Sequence, residues 1–200
     1  MKNSIKMLIA FVVISLQIST LYAYDKTNNT GVYLTEQDYK AGKLSYILSN
    51  GDSMHLNDFL GGNHISIRYQ GKKIKLSKKQ VFGYRQDNQD FRFYQNQAYR
   101  VLDTAGFLLY TRDGLEQQGK GPKAVAKYFY SVNTQEPVLN LTLQNVIQSF
   151  PADSDFCYSV QNNFHQDADL MIFDRVNRQY EIKHLYLGHK HNLNNQHAAI

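Results

Sequence analysis

Reactive residue types cluster at a few places along the chain. Gly114 to Lys120 spells Gly-x-x-x-x-Gly-Lys, the opening of a phosphate-binding loop whose backbone amides cradle phosphate oxygens. Position 121 is Gly where Ser or Thr should hold magnesium, and Pro122 stands where a helix should begin. The segment therefore reads as a hairpin loop. Cys157 with a histidine would make a nucleophile and base, but a reactive thiol needs exposure and an electropositive setting. Cys157 lies beside Phe156 on the stripe that continues to Val160 and Phe164, the position of a core thiol.

His184, His189 and His191 are the metal candidates, with His197 beyond them, because imidazole is the commonest metal ligand. A metal site needs about four ligands held by outer partners, and the neighbouring Gly188 and asparagines favour a loose tail. No cofactor or metal is expected. Lys72, Lys73 and Lys75, followed by Lys78 and Lys79, are candidate contacts for an anion or a lipid headgroup. The competing reading is a solvated edge strand protected by lysines. There is no Gly-x-Ser-x-Gly elbow, and paired carboxylates for sugar hydrolysis must meet in space about 5–10 Å apart, which spacing in sequence does not reveal. No catalytic residue is assigned. An enzyme would require polar groups such as His55, His64, Asp87, Asp90 and Arg92 to converge on folding.

The elements that must position these residues follow from periodicity. Gly31 to Leu34 reads as a strand, and Thr35 with Asp38 as a capping-box helix start that Gly42 ends. Lys43 to Leu48 is strand-like and Ser49 to Asp52 is turn chemistry. From His55 to Val132 the pattern has period two: Ile65, Ile67 and Tyr69 alternate with polar residues, Gln70-Gly71 turns the chain, and Ile74 and Leu76 alternate with lysines. Further short strands joined by polar turns describe an antiparallel meander, and a sheet of six or more strands tends to curl. After Pro137, Thr142 caps a helix with Leu143, Val146, Ile147 and Phe150 on one face, and Asp153 or Ser154 caps a second with Phe156, Val160 and Phe164 inward. A third begins near Asp169 and carries Phe173, Val176 and Tyr180 inward, though from Tyr180 to Leu187 the apolar residues also fit a strand. The expected class is α+β: an N-terminal curled, barrel-like meander (31–132) followed by helices (142–187) that pack on it, with any ligand cleft along the helix seam. Residues 24–188 form one domain and 189–200 a flexible tail.

The chain has 200 residues and a formal charge of +5, enough for one core and too small for a multidomain enzyme. Lys2 and Lys6 precede an apolar run from Met7 to Ile18, and Ala23 offers a small residue before a cut, the order of a secretory signal peptide over residues 1–23. The run is shorter than the ~20 residues a spanning helix needs, so no transmembrane span is expected after cleavage. Removing it lowers the charge to +3, a modest balance that argues against nucleic acid as partner. With Cys157 the single cysteine, no internal disulfide forms, and stability must come from packing.

Gly31-Val32-Tyr33-Leu34-Thr35 with Asp38-Tyr39 and Lys43-Leu44, then Phe82-Gly83-Tyr84-Arg85 and Tyr99-Arg100-Val101-Leu102-Asp103, resemble a family of small exported proteins of Bacteroidota. The resemblance spans Gly31 to about Leu187. It implies a bacterial envelope setting, periplasmic or secreted, and assigns no activity. Asp52-Ser53-Met54 and Asp103-Thr104-Ala105 resemble the O-glycosylation signal of exported Bacteroidota proteins, which makes Ser53 and Thr104 candidate modification sites, Ser53 in an exposed turn. The sequence thus reads as a non-enzymatic exported module that binds a small ligand or an envelope component, with an envelope hydrolase as the alternative. The mature protein is expected to begin at Tyr24. N-terminal sequencing of the exported protein checks this, and Met1 retained on a membrane-bound chain would refute it.

Overall fold

The computed structural model describes residues 29–58, 62–119 and 121–198. The expected signal segment and its cleavage point lie outside them, as do Lys120 and the side chain of His197. The first part of the chain is β1 (Thr30–Tyr33), α1 (Glu36–Lys40), β2 (Tyr46–Leu48), β3 (Ser53–His55), β4 (His64–Tyr69) and β5 (Lys72–Ser77). There follow β6 (Gly83–Gln86), β7 (Gln89–Tyr94), β8 (Gln97–Asp103), β9 (Leu108–Gln118), β10 (Gly121–Ser131) and β11 (Leu139–Asn140). The C-terminal part holds α2 (Leu143–Ser149), α3 (Ser154–Asn163), a 3-10 helix (Asp167–Met171), the small hairpin β12 (Phe173–Asp174) and β13 (Gln179–Tyr180), and α4 (Glu181–Ala198). The class is α+β with C-terminal helices. Among the described residues no helix is long and apolar enough to cross a membrane.

The large sheet has eight antiparallel strands in the order β11-β10-β9-β8-β7-β6-β1-β2. It does not close into the expected barrel, since β2 and β11 stand unpaired with each other at its two ends. The reason is that β3, β4 and β5 leave the meander to form their own three-stranded sheet, which packs over the large sheet where closure would otherwise be needed to bury its apolar side. Ile65 and Ile67 of that second sheet share a core with Val32, Tyr84 and Phe93.

Side chains alternate across each strand, and the register carries the alternation across the whole sheet. One face holds Val32, Tyr84, Phe93, Leu109 and Tyr130. Its β1–β7 half is covered by the small sheet, and its β9–β10 half by Phe150, Phe156, Val160 and Phe164 of the helices. The helix caps are as expected: Thr142 Oγ1 accepts from the Asn145 amide and Asp153 from Phe156. The other face holds Tyr33, Arg85, Asp90, Arg92, Tyr99 and Tyr110, and receives α1 and the segment 132–138.

The third helix was expected from Asp169 and is replaced by the β12–β13 hairpin. Asp174 accepts from the amides of Val176 and Asn177 and Arg178 takes φ +53°, a turn chemistry that breaks the helical spacing. Phe173 and Val176 consequently point outward, 46% and 90% exposed. Helix resumes at Glu181 and runs past Gly188 to Ala198, through the expected flexible tail. It does so because His189 bonds Ser159 at 2.9 Å and Lys190 reaches Asp153 at 3.4 Å, which docks this turn on α3.

Burying each large apolar side chain of this interface contributes about 1.5–3 kcal/mol. Phe156→Ala is therefore expected to lower the unfolding free energy in urea by about 3–5 kcal/mol, and Phe173→Ala by under about 1 kcal/mol. Equal losses would mean that Phe173 is a core residue after all.

Candidate functional site

The polar face of the large sheet is assembled by two tight hairpins. Asp87 and Asn88 both take positive φ, 52° and 58°, the geometry of a two-residue turn that matches strand twist. The register it sets puts Arg85 directly opposite Asp90. Arg85 Nε donates to Asp90 Oδ1 at 2.7 Å and Nη2 to Oδ2 at 2.8 Å, a bidentate pair. Tyr33, fully buried on the neighbouring strand, donates its hydroxyl to Asp90 Oδ1 at 3.0 Å. Burial first, and then the Asp90 charge, raise the Tyr33 hydroxyl well above the usual phenol range.

Gln95 and Asn96 make the next turn with φ 48° and 64°, which places Arg92 opposite Tyr99. Arg92 reaches into the face, where its Nη1 donates to Tyr110 Oη and Ser131 Oγ, both at 3.0 Å. Further along, Arg112 stacks over Tyr99 and Phe129 at 5.1 and 5.4 Å from the ring centroids. Such cation–π contacts let a sheet face carry guanidinium groups and aromatic rings together.

Helix α1 is strapped across this face. Glu36 accepts from Thr134 Oγ1 through one oxygen and from Gln135 at 3.3 Å through the other, and pairs with Lys40 at 2.5 Å. The hydrogen bonds from Lys40 and Thr134 hold its carboxyl down to about 2. Tyr39 stacks on Phe82 at 4.8 Å and meets Tyr33 edge-on at 5.5 Å. Between α1, the β6–β7 turn and the end of β8 lies a cleft of about 690 Å³. Its charged lining is Lys40, Arg85, Asp90 and Asp103, and its neutral polar lining includes Asn88, Asn133, Thr104 and Thr134. Val101 and Leu108 supply apolar floor.

The far rim is held by α4. Lys183 is buried, sits 4.1 Å over the Phe107 ring, donates to the carbonyls of Ala105 (2.6 Å) and Phe107, and lies 3.4 Å from Asp103. Burial, against the pull of Asp103, lowers its ammonium to about 8. Gly106 takes φ +74°, and a Cβ there would lie 2.6 Å from the Tyr186 ring. The ring of α4 thus occupies the space that any other side chain would need.

The residues singled out from sequence do not gather here. Lys72, Lys73 and Lys75 are exposed on β5, the outer strand of the small sheet. Ser53 is not in an exposed turn. Asp52 ends the turn by accepting from the amides of Ser49 and Gln70, so Ser53 starts β3, half-buried opposite Arg68. Thr104 is exposed on the rim of the large cleft. His184 contacts Gln179 at 2.9 Å while His189 contacts Ser159, and among the described residues no three His, Cys, Asp or Glu come together as a metal site. Cys157 directs its thiol to the carbonyls of Phe150 and Ile147, and burial raises it. Gly114 to Gly119 belongs to the long β9–β10 hairpin, with Gly119 at φ +61° in the turn.

His55, His64, Asp87, Asp90 and Arg92 are dispersed. The histidines lie on the small sheet, and Asp87, Asp90 and Arg92 line three different clefts. The large cleft also lies on the face opposite the helix seam, where the short helix α1 and a loop cover the sheet only in part. Nothing in the sequence marked Asp103 as a cleft residue or Lys183 as its partner. The Arg85–Asp90 pair was legible in principle, since a two-residue turn at Asp87-Asn88 puts the flanking charges on one face.

Two groups make the fold more stable as pH rises, in two separate windows. The Glu36 carboxyl falls from 4.5 unfolded to about 2 folded, so its contribution is complete above pH 4.5 and is lost as pH falls towards 2. The Lys183 ammonium falls from 10.5 to about 8, so the unfolded chain binds more protons between these values and stability rises with pH across pH 8 to 10.5. Urea titrations at stepped pH should show Glu36→Gln flattening the acid limb and Lys183→Met the alkaline one. Unchanged limbs would remove these groups from the linkage.

Comparison with family models, with curated proteins and with solved structures finds no match to this chain.

Proposed function

We propose that this chain is an exported, non-enzymatic binding protein of a bacterial envelope, which holds a neutral, hydroxyl-rich small ligand such as an oligosaccharide in the cleft beneath α1. The charge balance of that cleft carries the reading. Its two cations and two carboxylates cancel, and Asp90 is already taken by Arg85 and Tyr33. A charged ligand would leave one side of this balance unpaired, whereas hydroxyl groups can both donate to carboxylate and amide oxygens and accept from amide N–H groups. The volume falls within the usual range of small-ligand sites, roughly 300–1,000 Å³. The Ser159–His189 contact lies on the helices and outside the cleft lining, and the cleft acids Asp90 and Asp103 are engaged in ion pairs with Arg85 and Lys183, which favours binding over hydrolysis. Export rests on the charged start, apolar run and Ala23 of the N-terminus.

A panel of neutral oligosaccharides, followed by calorimetry and by chromatography of the sugar afterwards, tests both halves. Binding with the sugar recovered intact is expected. Asn88→Gly keeps the left-handed turn and removes one amide, so it should weaken binding roughly three- to tenfold with little change in melting temperature. Recovery of cleaved sugar would establish the envelope hydrolase instead, and no binding across the panel would dismiss the proposed ligand class.

A further inference from the structure

We propose that a second, smaller cleft, built around Arg92, is a binding site for a small oxyanion that also carries an O–H or N–H donor: a hydroxycarboxylate or a phosphate. Arg92 is only 5% exposed, and its guanidinium lies among the rings of Phe82, Tyr94 and Tyr110 at 5.9, 5.8 and 5.9 Å from their centroids. Its protein acceptors are Tyr110 Oη, Ser131 Oγ and the Glu136 carbonyl, the last at 2.9 Å from Nη2. All three are neutral. Arg85, one strand away and equally buried, has a carboxylate on its Nε and Nη2. Among the described residues Arg92 has none. A buried guanidinium without a counter-charge is costly unless something supplies one. Its Nε–H and one Nη2 hydrogen have no acceptor among the described residues, and these two nitrogens are the pair with which Arg85 grips Asp90.

The surroundings fit such a guest. The cleft measures about 390 Å³ and is lined by Arg92, Lys78, Lys79, Glu36 and Asn96 among others. Lys78 is answered by Asp58 at 2.6 Å and Glu36 by Lys40 at 2.5 Å. Arg92 at the base and the exposed Lys79 at the mouth remain as the cationic surplus. Asn96 Oδ1 is buried without a hydrogen-bond partner, an acceptor that a hydroxyl, ammonium or protonated phosphate oxygen would satisfy. Planar bidentate geometry suits a guanidinium to carboxylate and phosphate alike. This is a separate site from the neutral cleft, on the other side of the Glu36–Thr134 strap.

Calorimetric titration with L-lactate, inorganic phosphate and acetate tests the proposal. Lactate or phosphate should bind one to one and more tightly than acetate. Lys79→Gln removes a charge at the mouth and should weaken binding about three- to tenfold. Asn96→Gly, which tolerates the positive φ of that turn, should erase the advantage of lactate over acetate. Binding of one of the two anions and not the other keeps the site and names its ligand. Arg92→Lys should abolish binding if it folds; because Arg92 also ties down Glu136, the Lys79 and Asn96 variants decide the matter if it does not. Absence of binding by both anions, or binding unchanged in both of those variants, would overturn the proposal.

Discussion

The large sheet sends aromatic rings to both of its faces, and neither face can be left to water. Neighbouring residues such as Phe93 and Tyr94, or Phe129 and Tyr130, diverge to opposite sides because side chains alternate along a strand. One apolar face is usual for an antiparallel sheet; two require two separate covers. The small sheet and the C-terminal helices divide the first face between them. The second face is closed less completely, by five residues of helix and a loop, and this is why clefts form there. The position of the candidate sites is thus a consequence of unequal cover.

The thinly covered face is kept compact by mixing charge with rings. Arg85, Arg92 and Arg112 lie over tyrosine and phenylalanine rings, so that long alkyl stems fill space that a larger hydrophobic layer would occupy elsewhere. Breaking a buried ion pair is costly because the remaining charge loses its partner. The Arg85–Asp90 pair is therefore as much a packing constraint as an electrostatic one. It fixes the β6–β7 turn over Tyr33 and thereby sets the floor against which Tyr39 and α1 rest.

Local structure was legible wherever a few adjacent residues decide it. The Thr35–Asp38 capping box, the Gln70-Gly71 turn, and the caps at Thr142 and Asp153 depend on side chains within three or four positions of the backbone they satisfy. The stripe Phe156, Val160, Phe164 was legible for the same reason. Sheet membership was not, because the departure of β3–β5 from the meander is decided by cores that join Ile65 to Tyr84 and Phe93. The spacing of Phe173, Val176 and Tyr180 fits a helix face, and only the Asp174 turn overrides it. Of the sites, Asp103 and Lys183 are separated by most of the C-terminal half of the chain, and Arg92 finds its partners on Tyr110, Ser131 and Glu136. No local spacing encodes such meetings.

Gly106 lies between the large cleft and the Tyr186 ring, and Lys183 fastens the same loop from beneath. The segment from Asp103 to Phe107 is therefore shared: its outer side is the cleft rim and its inner side is a docking seat for α4. The Lys183 bonds and the Tyr186 ring tie the position of the rim to the seating of the helix. The last helix thus supports, through this loop, the rim of a cleft that lies on the far side of the sheet from its own packing layer, so one short segment links the two sides of the sheet.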